Sequence, residues 1–181
     1  IRDRDVTGVQ TCALPICMDL DALEAAYEHD VAQGNLPFLV VGTAGTVATG
    51  AVDPLPELAA FAKSHNLWFH VDGAYGAFAN GIENAPADLQ GVAEADSIAV
   101  DPHKWLYAPL EAGCALVRDA DALRKAFSYH PSYYNFHEEG INYFDNGPQN
   151  SRGFRALKVW LMLQQAGALE YRKMISSDMA L

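Results

Sequence analysis

Asp72 and Lys104 have the residue types and the settings for covalent chemistry on a heteroaromatic aldehyde. Asp72 closes an apolar run in Trp68-Phe-His-Val-Asp-Gly-Ala-Tyr-Gly76, and Lys104 follows another in Val100-Asp-Pro-His-Lys-Trp105. An aldehyde cofactor such as pyridoxal phosphate forms a Schiff base with an amine and pairs its protonated ring nitrogen with a carboxylate. An acid and a lysine, each just past a short apolar run, supply both partners.

Such groups act together only if the scaffold brings them to one place. Asp19 to Ala32 sets Leu20, Leu23, Tyr27 and Val31 on one helical face, and Gly34-Asn35 with Pro37 ends that helix. Phe38–Val41 is a continuous apolar run of the kind a buried strand shows. Asp53-Pro54 offers an N-cap and a first-position proline for a helix to about His65 that buries Leu55, Leu58, Phe61 and Ala62. Leu67–Val71, Ser97–Val100 and Gly113–Val117 read as three further strands, and Asp119 caps a helix to about Phe127. Strands alternating with helices predict an α/β fold around a largely parallel sheet, where ligands sit beyond the carboxyl ends of strands. Thr43 to Thr46, Asp72 to Tyr75 and Asp101 to Trp105 all fall at such ends.

Residues 129–150 are aromatic and polar without a clear period, and a loop this long inside a domain is usually functional. From Ser151 an amphipathic helix with Phe154, Leu157, Trp160, Leu161 and Leu163 runs to near Gly167.

The first seventeen residues read differently, with neither a helical nor an alternating period. Val6–Ile16 looks like the conceptual translation of a DNA-sequencing adapter. Residues 1–17 are therefore set aside as an artefact, the alternative being a disordered natural terminus. That leaves Cys114 as a lone thiol, expected in the core; no disulfide framework follows, and the cytoplasm is the expected compartment. A net charge of −11 argues against nucleic acid or an anionic membrane as partner. The histidines show no metal-ligand spacing.

Beyond these readings, several blocks in this order resemble the group II pyridoxal-phosphate decarboxylases, which include the aromatic-amino-acid and glutamate enzymes. They are Gly45-Thr46 with Gly50-Ala-Val-Asp-Pro54, His70-Val-Asp-Gly-Ala-Tyr75, Ala95-Asp-Ser97, Pro102-His-Lys-Trp105 and Ser151-Arg-Gly-Phe-Arg-Ala-Leu-Lys158. The resemblance covers nearly everything after residue 18. It implies part of the large domain of the fold-type I pyridoxal-phosphate fold, in an obligately dimeric family acting on amino acids.

The resemblance also implies roles. Lys104 would carry pyridoxal 5'-phosphate, Asp72 would hold its ring nitrogen protonated, and Ala74 would lie against one ring face. His103 would sit beside the cofactor, assisting phosphate contact or proton traffic, and Thr46 would line the site. Ser151 matches the place where a neighbouring subunit's backbone reaches the phosphate. Tyr133, or Tyr134 after a one-residue slip, falls where the family's loop tyrosine reprotonates the substrate carbon. Related aldehyde synthases have phenylalanine there, so tyrosine favours simple decarboxylation.

Two positions depart from the pattern. Asp101 stands where animal aromatic enzymes have asparagine near the phosphate, and is expected to offer only its amide or to point away. Val47 replaces a second hydroxyl. Complete relatives extend further at both ends, which implies that this stretch alone is inactive and binds cofactor weakly. Competing readings are another lyase or aldehyde synthase of the same fold, and a non-catalytic remnant.

Overall fold

The computed structural model describes residues 16–132 and 140–181. Helix α1 spans Leu20–Ala32, and the Asp19 carboxylate caps it by accepting from the Ala22 amide at 3.0 Å. Strand β1 (Leu39–Thr43), helix α2 (Leu55–His65), strand β2 (Trp68–Asp72) and strand β3 (Ser97–Val100) follow. Two 3₁₀ segments, Ala77–Gly81 and Ala87–Glu94, lie between β2 and β3; no sequence period announced either. Strand β4 (Cys114–Val117), helix α3 (Ala120–Phe127, capped by Asp119), a 3₁₀ turn (Tyr143–Asn146) and helix α4 (Arg155–Met179) complete the order.

The four strands lie in the order β1-β2-β3-β4. The first three are parallel, with Thr43 opposite Asp72 and Asp72 opposite Ala99, whereas β4 runs antiparallel to β3. Parallel neighbours start and stop on the same side. The chain therefore leaves β1, β2 and β3 at one common edge.

Alternation along the strands divides the sheet. Val40, Phe69, Val71 and Val100 are buried in one cluster with Leu55, Leu58 and Ala62 of α2 and with Leu89 and Val92 of the second 3₁₀ segment. The opposite face carries Leu39, Val41 and Trp68, which are 43%, 40% and 37% exposed. Phe38–Val41 is thus not the fully buried strand its composition suggests. Parallel sheets bury both faces only when both are covered, and among the described residues this second face stays open. Val31, expected on the core face of α1, is also exposed.

Asp53 corrects a second expectation. The N-cap of α2 is Pro54. Asp53 instead turns its carboxylate back to the end of β1, accepting from the Thr43 amide at 2.8 Å and the Met18 amide at 2.7 Å. It ties α1's approach and α2's entry to the strand that carries the Thr46 loop. Asp53→Ala in a full-length protein carrying this chain removes both acceptor oxygens and leaves two part-buried donors unpaired. It is expected to cost about 1–3 kcal/mol, read as a lower urea midpoint at unchanged slope; an unmoved midpoint would contradict this role.

Cys114 is exposed rather than in the core, because β4 is an edge strand of this sheet. The final helix starts at Arg155, not Ser151, and does not stop at Gly167. That glycine takes φ 72°, ψ 165°, breaking the helix, which then continues to Met179. The second half docks against the turn after β3: Ile175 joins the core, and the Tyr171 hydroxyl donates to the Leu106 carbonyl at 3.1 Å. The Tyr107 hydroxyl donates to Asp178. Burial, and then the Asp178 carboxylate, push that phenol up to about 12, so it remains a donor at ordinary pH. Among the described residues no helix is long and apolar enough to cross a membrane.

Candidate active site at the carboxyl edge of the sheet

Three loops meet where β1, β2 and β3 end. The first, after Thr43, reaches the second through two glycines. Gly45 adopts φ +87°, and a Cβ there would lie 3.0 Å from the Gly76 Cα. A Cβ on Gly76 would lie 2.5 Å from the Ala44 carbonyl oxygen, which accepts instead from the Gly76 amide at 2.9 Å. Only residues without side chains allow the Thr46 loop and the Asp72 loop this close. Thr46 is half-buried there, its hydroxyl 2.7 Å from that of Thr49.

The second loop is joined to the third. The Gly73 amide donates to the Ala99 carbonyl at 2.9 Å, and the rings of Tyr75 and Trp105 meet edge-to-face at 5.4 Å. Asp72 and Lys104, on these two loops, therefore belong to one edge of adjacent parallel strands. Asp72 is exposed; one carboxylate oxygen accepts from the Ala74 amide at 3.2 Å, which also fixes the half-buried Ala74.

Lys104 sits in a tight turn whose amide donates to the Asp101 carbonyl at 2.9 Å. Its Nζ lies 2.8 Å from Asp101 Oδ2, with both side chains half-buried. Asp101 thus offers its carboxylate to the lysine, where the sequence suggested only an amide or an outward side chain. The spacing of three residues was the available signal, since one helical turn brings such a pair together. His103 is committed to the backbone through Nδ1, 2.8 Å from the Ala112 carbonyl oxygen, which pins its ring against the segment leading to β4.

One network on the open face has no counterpart in the sequence reading beyond packing for His70. Ser97 Oγ accepts from Trp68 Nε1 at 2.8 Å and lies 2.7 Å from His70 Nδ1. His70 and Asp72, two residues apart on β2, share the open face, so this network backs the strand from which Asp72 projects. Ser151 is exposed, before α4 begins. Tyr133 and Tyr134 lie outside the described residues.

The donor set fits a pyridoxal-type group. The edge holds one amine, a carboxylate exposed for a ring cation, hydroxyls at Thr46 and Thr49, and a backbone cradle that added Cβ atoms would fill. The Lys104–Asp101 ion pair must open before the amine can condense with an aldehyde. Asp101→Asn is accordingly expected to tighten pyridoxal phosphate binding about two- to fivefold, the worth of a partly exposed pair. Equilibrium dialysis on a full-length protein checks this, and weaker binding would mean that the carboxylate helps hold the group.

Comparisons with known proteins agree with that chemistry. The family described as "Pyridoxal-dependent decarboxylase conserved domain" matches residues 7–181, reaching back into the segment set aside above. The chain is 42% identical over 168 residues to an aromatic-L-amino-acid decarboxylase of Bacillus atrophaeus, covering 91% of this chain and 35% of that protein. It is 35% identical over 159 residues to a 4-hydroxyphenylacetaldehyde synthase of Rhodiola rosea, covering 88% of this chain and 32% of the relative. The crystal structure of Oryza sativa TDC with PLP and tryptamine superposes with a TM-score of 0.83 at 33% identity, covering 91% of this chain and 34% of that one. The chain thus spans about a third of the length of the curated relatives it matches.

Proposed function

Because the chain belongs to the pyridoxal-dependent decarboxylase family, we propose that the protein carrying it removes the carboxyl group of an amino acid as carbon dioxide, using pyridoxal phosphate. One observation supports this above the others. Asp72 and Lys104 leave the same edge of adjacent parallel strands, on loops joined by the Tyr75–Trp105 contact. The bound group supplies an electron sink for the carbanion left when carbon dioxide departs.

The chain's own residues do the rest. Lys104 would hold the cofactor through Nζ, once released from Asp101. Asp72 would offer its carboxylate to the ring nitrogen and keep it protonated. Ala74, held by Asp72, would leave room against one ring face. His103, its Nδ1 fixed at Ala112, would leave Nε2 for phosphate contact or proton traffic. Thr46 lines the opposite loop. Tyr133 donates a proton to the substrate carbon, a contribution worth roughly 10²–10⁴ in rate. Ser151 of one subunit serves the phosphate of its neighbour, which makes the working form a homodimer. The reaction takes place in the cytoplasm.

The substrate class we favour is an aromatic amino acid, on the strength of Trp105 at the site and the decarboxylase of Bacillus atrophaeus. Incubating a full-length protein carrying this chain with cofactor and each aromatic amino acid tests the reading. Equal amounts of amine and carbon dioxide support it. Turnover of no amino acid by a folded, cofactor-loaded protein overturns it.

A second reading is favoured by the similarity to the Rhodiola rosea aldehyde synthase. That reaction would consume dioxygen and water and release aldehyde, carbon dioxide, ammonia and hydrogen peroxide. Peroxide and ammonia in place of amine would select it.

A further inference from the structure

Asp145 is the one charged residue buried among the described residues, at 3% exposure. A buried carboxylate is costly unless hydrogen bonds replace its water. Here both donors come from the far side of the long loop. His130 Nε2 lies 2.8 Å from Asp145 Oδ1, and Ser128 Oγ donates to the same oxygen at 2.9 Å. Ser128 and His130 directly follow α3, while Asp145 lies in the 3₁₀ turn Tyr143–Asn146, so the three close a ring around residues 131–144.

Their geometry excludes a nucleophilic triad. In a triad the imidazole bridges serine and acid through its two different nitrogens. Here Nε2 faces both, 3.5 Å from the serine and 2.8 Å from the acid, and both donors converge on one oxygen. The cluster is an anchor.

Electrostatics point the same way. Burial by itself would raise the Asp145 carboxyl. The hydrogen bonds from His130 and Ser128, then the charges of His130 and Arg124, outweigh burial and hold it below the usual carboxylate range. Arg124 comes from α3 and the Phe144 ring meets His130 edge-on at 6.0 Å, so helix and turn both pack on the contact. No sequence pattern announces it, since a histidine and an aspartate this far apart have no periodic relation.

We propose that Asp145, clasped by His130 and Ser128, is a positioning residue for the reaction: it fixes both ends of the segment 131–144, on which the proton donor to the substrate carbon is carried. This rests on the reading of Tyr133 given above.

The test uses a full-length, cofactor-loaded protein and compares His130→Ala, Asp145→Ala, their double variant and His130→Gln. The clasp predicts faster proteolytic cleavage within 131–144, unchanged cleavage elsewhere and unchanged cofactor absorbance. It predicts kcat lowered roughly ten- to hundredfold, the effect of a small misplacement of a reacting group, with KM little changed. In air, part of the product should shift from amine to aldehyde, with dioxygen as oxidant, water consumed, and ammonia and hydrogen peroxide released. The double variant should be no worse than either single one, and His130→Gln, which keeps a donor, should restore most of kcat. Folded variants with native kcat and native cleavage overturn the proposal, as does faster cleavage at native kcat. Should Asp145→Ala fail to fold, Ser128→Ala and His130→Gln carry the same comparison. Tyr133→Phe, run alongside, separates the two ideas. If it leaves both rate and product unchanged, the Tyr133 reading fails, and the cleavage and kcat results for His130 and Asp145 still decide the clasp.

Discussion

Lys104→Ala, in a full-length protein carrying this chain, abolishes amino-acid decarboxylation to within the background while the fold survives. The survival follows from position: Lys104 is half-buried in a turn held by backbone hydrogen bonds, and its ion-pair partner, Asp101, is also half-buried. The loss follows from chemistry. A correctly held amine is worth an effective molarity of about 10⁵–10⁸ M, which no free amine in buffer approaches. A fall in kcat/KM of more than about 10³-fold is therefore expected, with an unchanged thermal midpoint. Added methylamine should recover only a small fraction. Arginine at the same place should not rescue, because a guanidinium keeps its charge and does not condense with an aldehyde. Activity within tenfold of native would show that Lys104 has no covalent role.

Asp72→Asn carries the second large effect, and it differs in kind. The amide keeps the size of the side chain and an oxygen for the Ala74 amide, so the loop after β2 should hold its course. What disappears is the negative charge for a ring cation. Breaking an ion pair of this kind in a closed site costs on the order of 3–5 kcal/mol, which corresponds to roughly 10²–10⁴ in rate. Because Asp72 is exposed in the described chain, the lower part of that range is the better expectation unless the rest of the protein covers it. The diagnostic readout is a cofactor analogue that carries a permanent positive charge on the ring nitrogen. It should restore a large part of the Asp72→Asn loss and none of the Lys104→Ala loss. Failure of that rescue would place the Asp72 carboxylate in a structural role.

The contrast between these residues and their neighbours shows how far a sequence goes. β2 and β3 were legible because each is a short apolar run ended by residues that apolar burial cannot explain. Asp19 and Asp119 were legible as caps because capping is settled within a few residues. Asp53 obeyed the same local rule on paper, yet its carboxylate serves the Thr43 and Met18 amides. Tertiary donors outcompeted the local ones.

Exposure departs from the sequence expectation for a common reason. Val31, Phe38 and Cys114 read as core because apolar residues usually are, but burial depends on what lies opposite. One face of this sheet and the β4 edge have no cover among the described residues. The break at Gly167 is half-legible: a glycine there reads as a stop, and only the packing of Tyr171 and Ile175 shows why the helix resumes.

At the site, the convergence of the three strand ends followed from α/β topology alone. The Lys104–Asp101 pair, the Tyr75–Trp105 contact and the seat of His103 on Ala112 did not. Each depends on side-chain directions that residue type leaves open. The Asp145 clasp lies furthest from sequence reasoning, since it joins two ends of a loop without period.

Borohydride reduction of a full-length, cofactor-loaded protein, followed by mass mapping of every lysine, goes most directly to the chemistry at this edge of the sheet. The reduced cofactor should be found on Lys104, stoichiometrically and without substrate. Label on another lysine, or undiminished turnover with Lys104 unmodified, would contradict it.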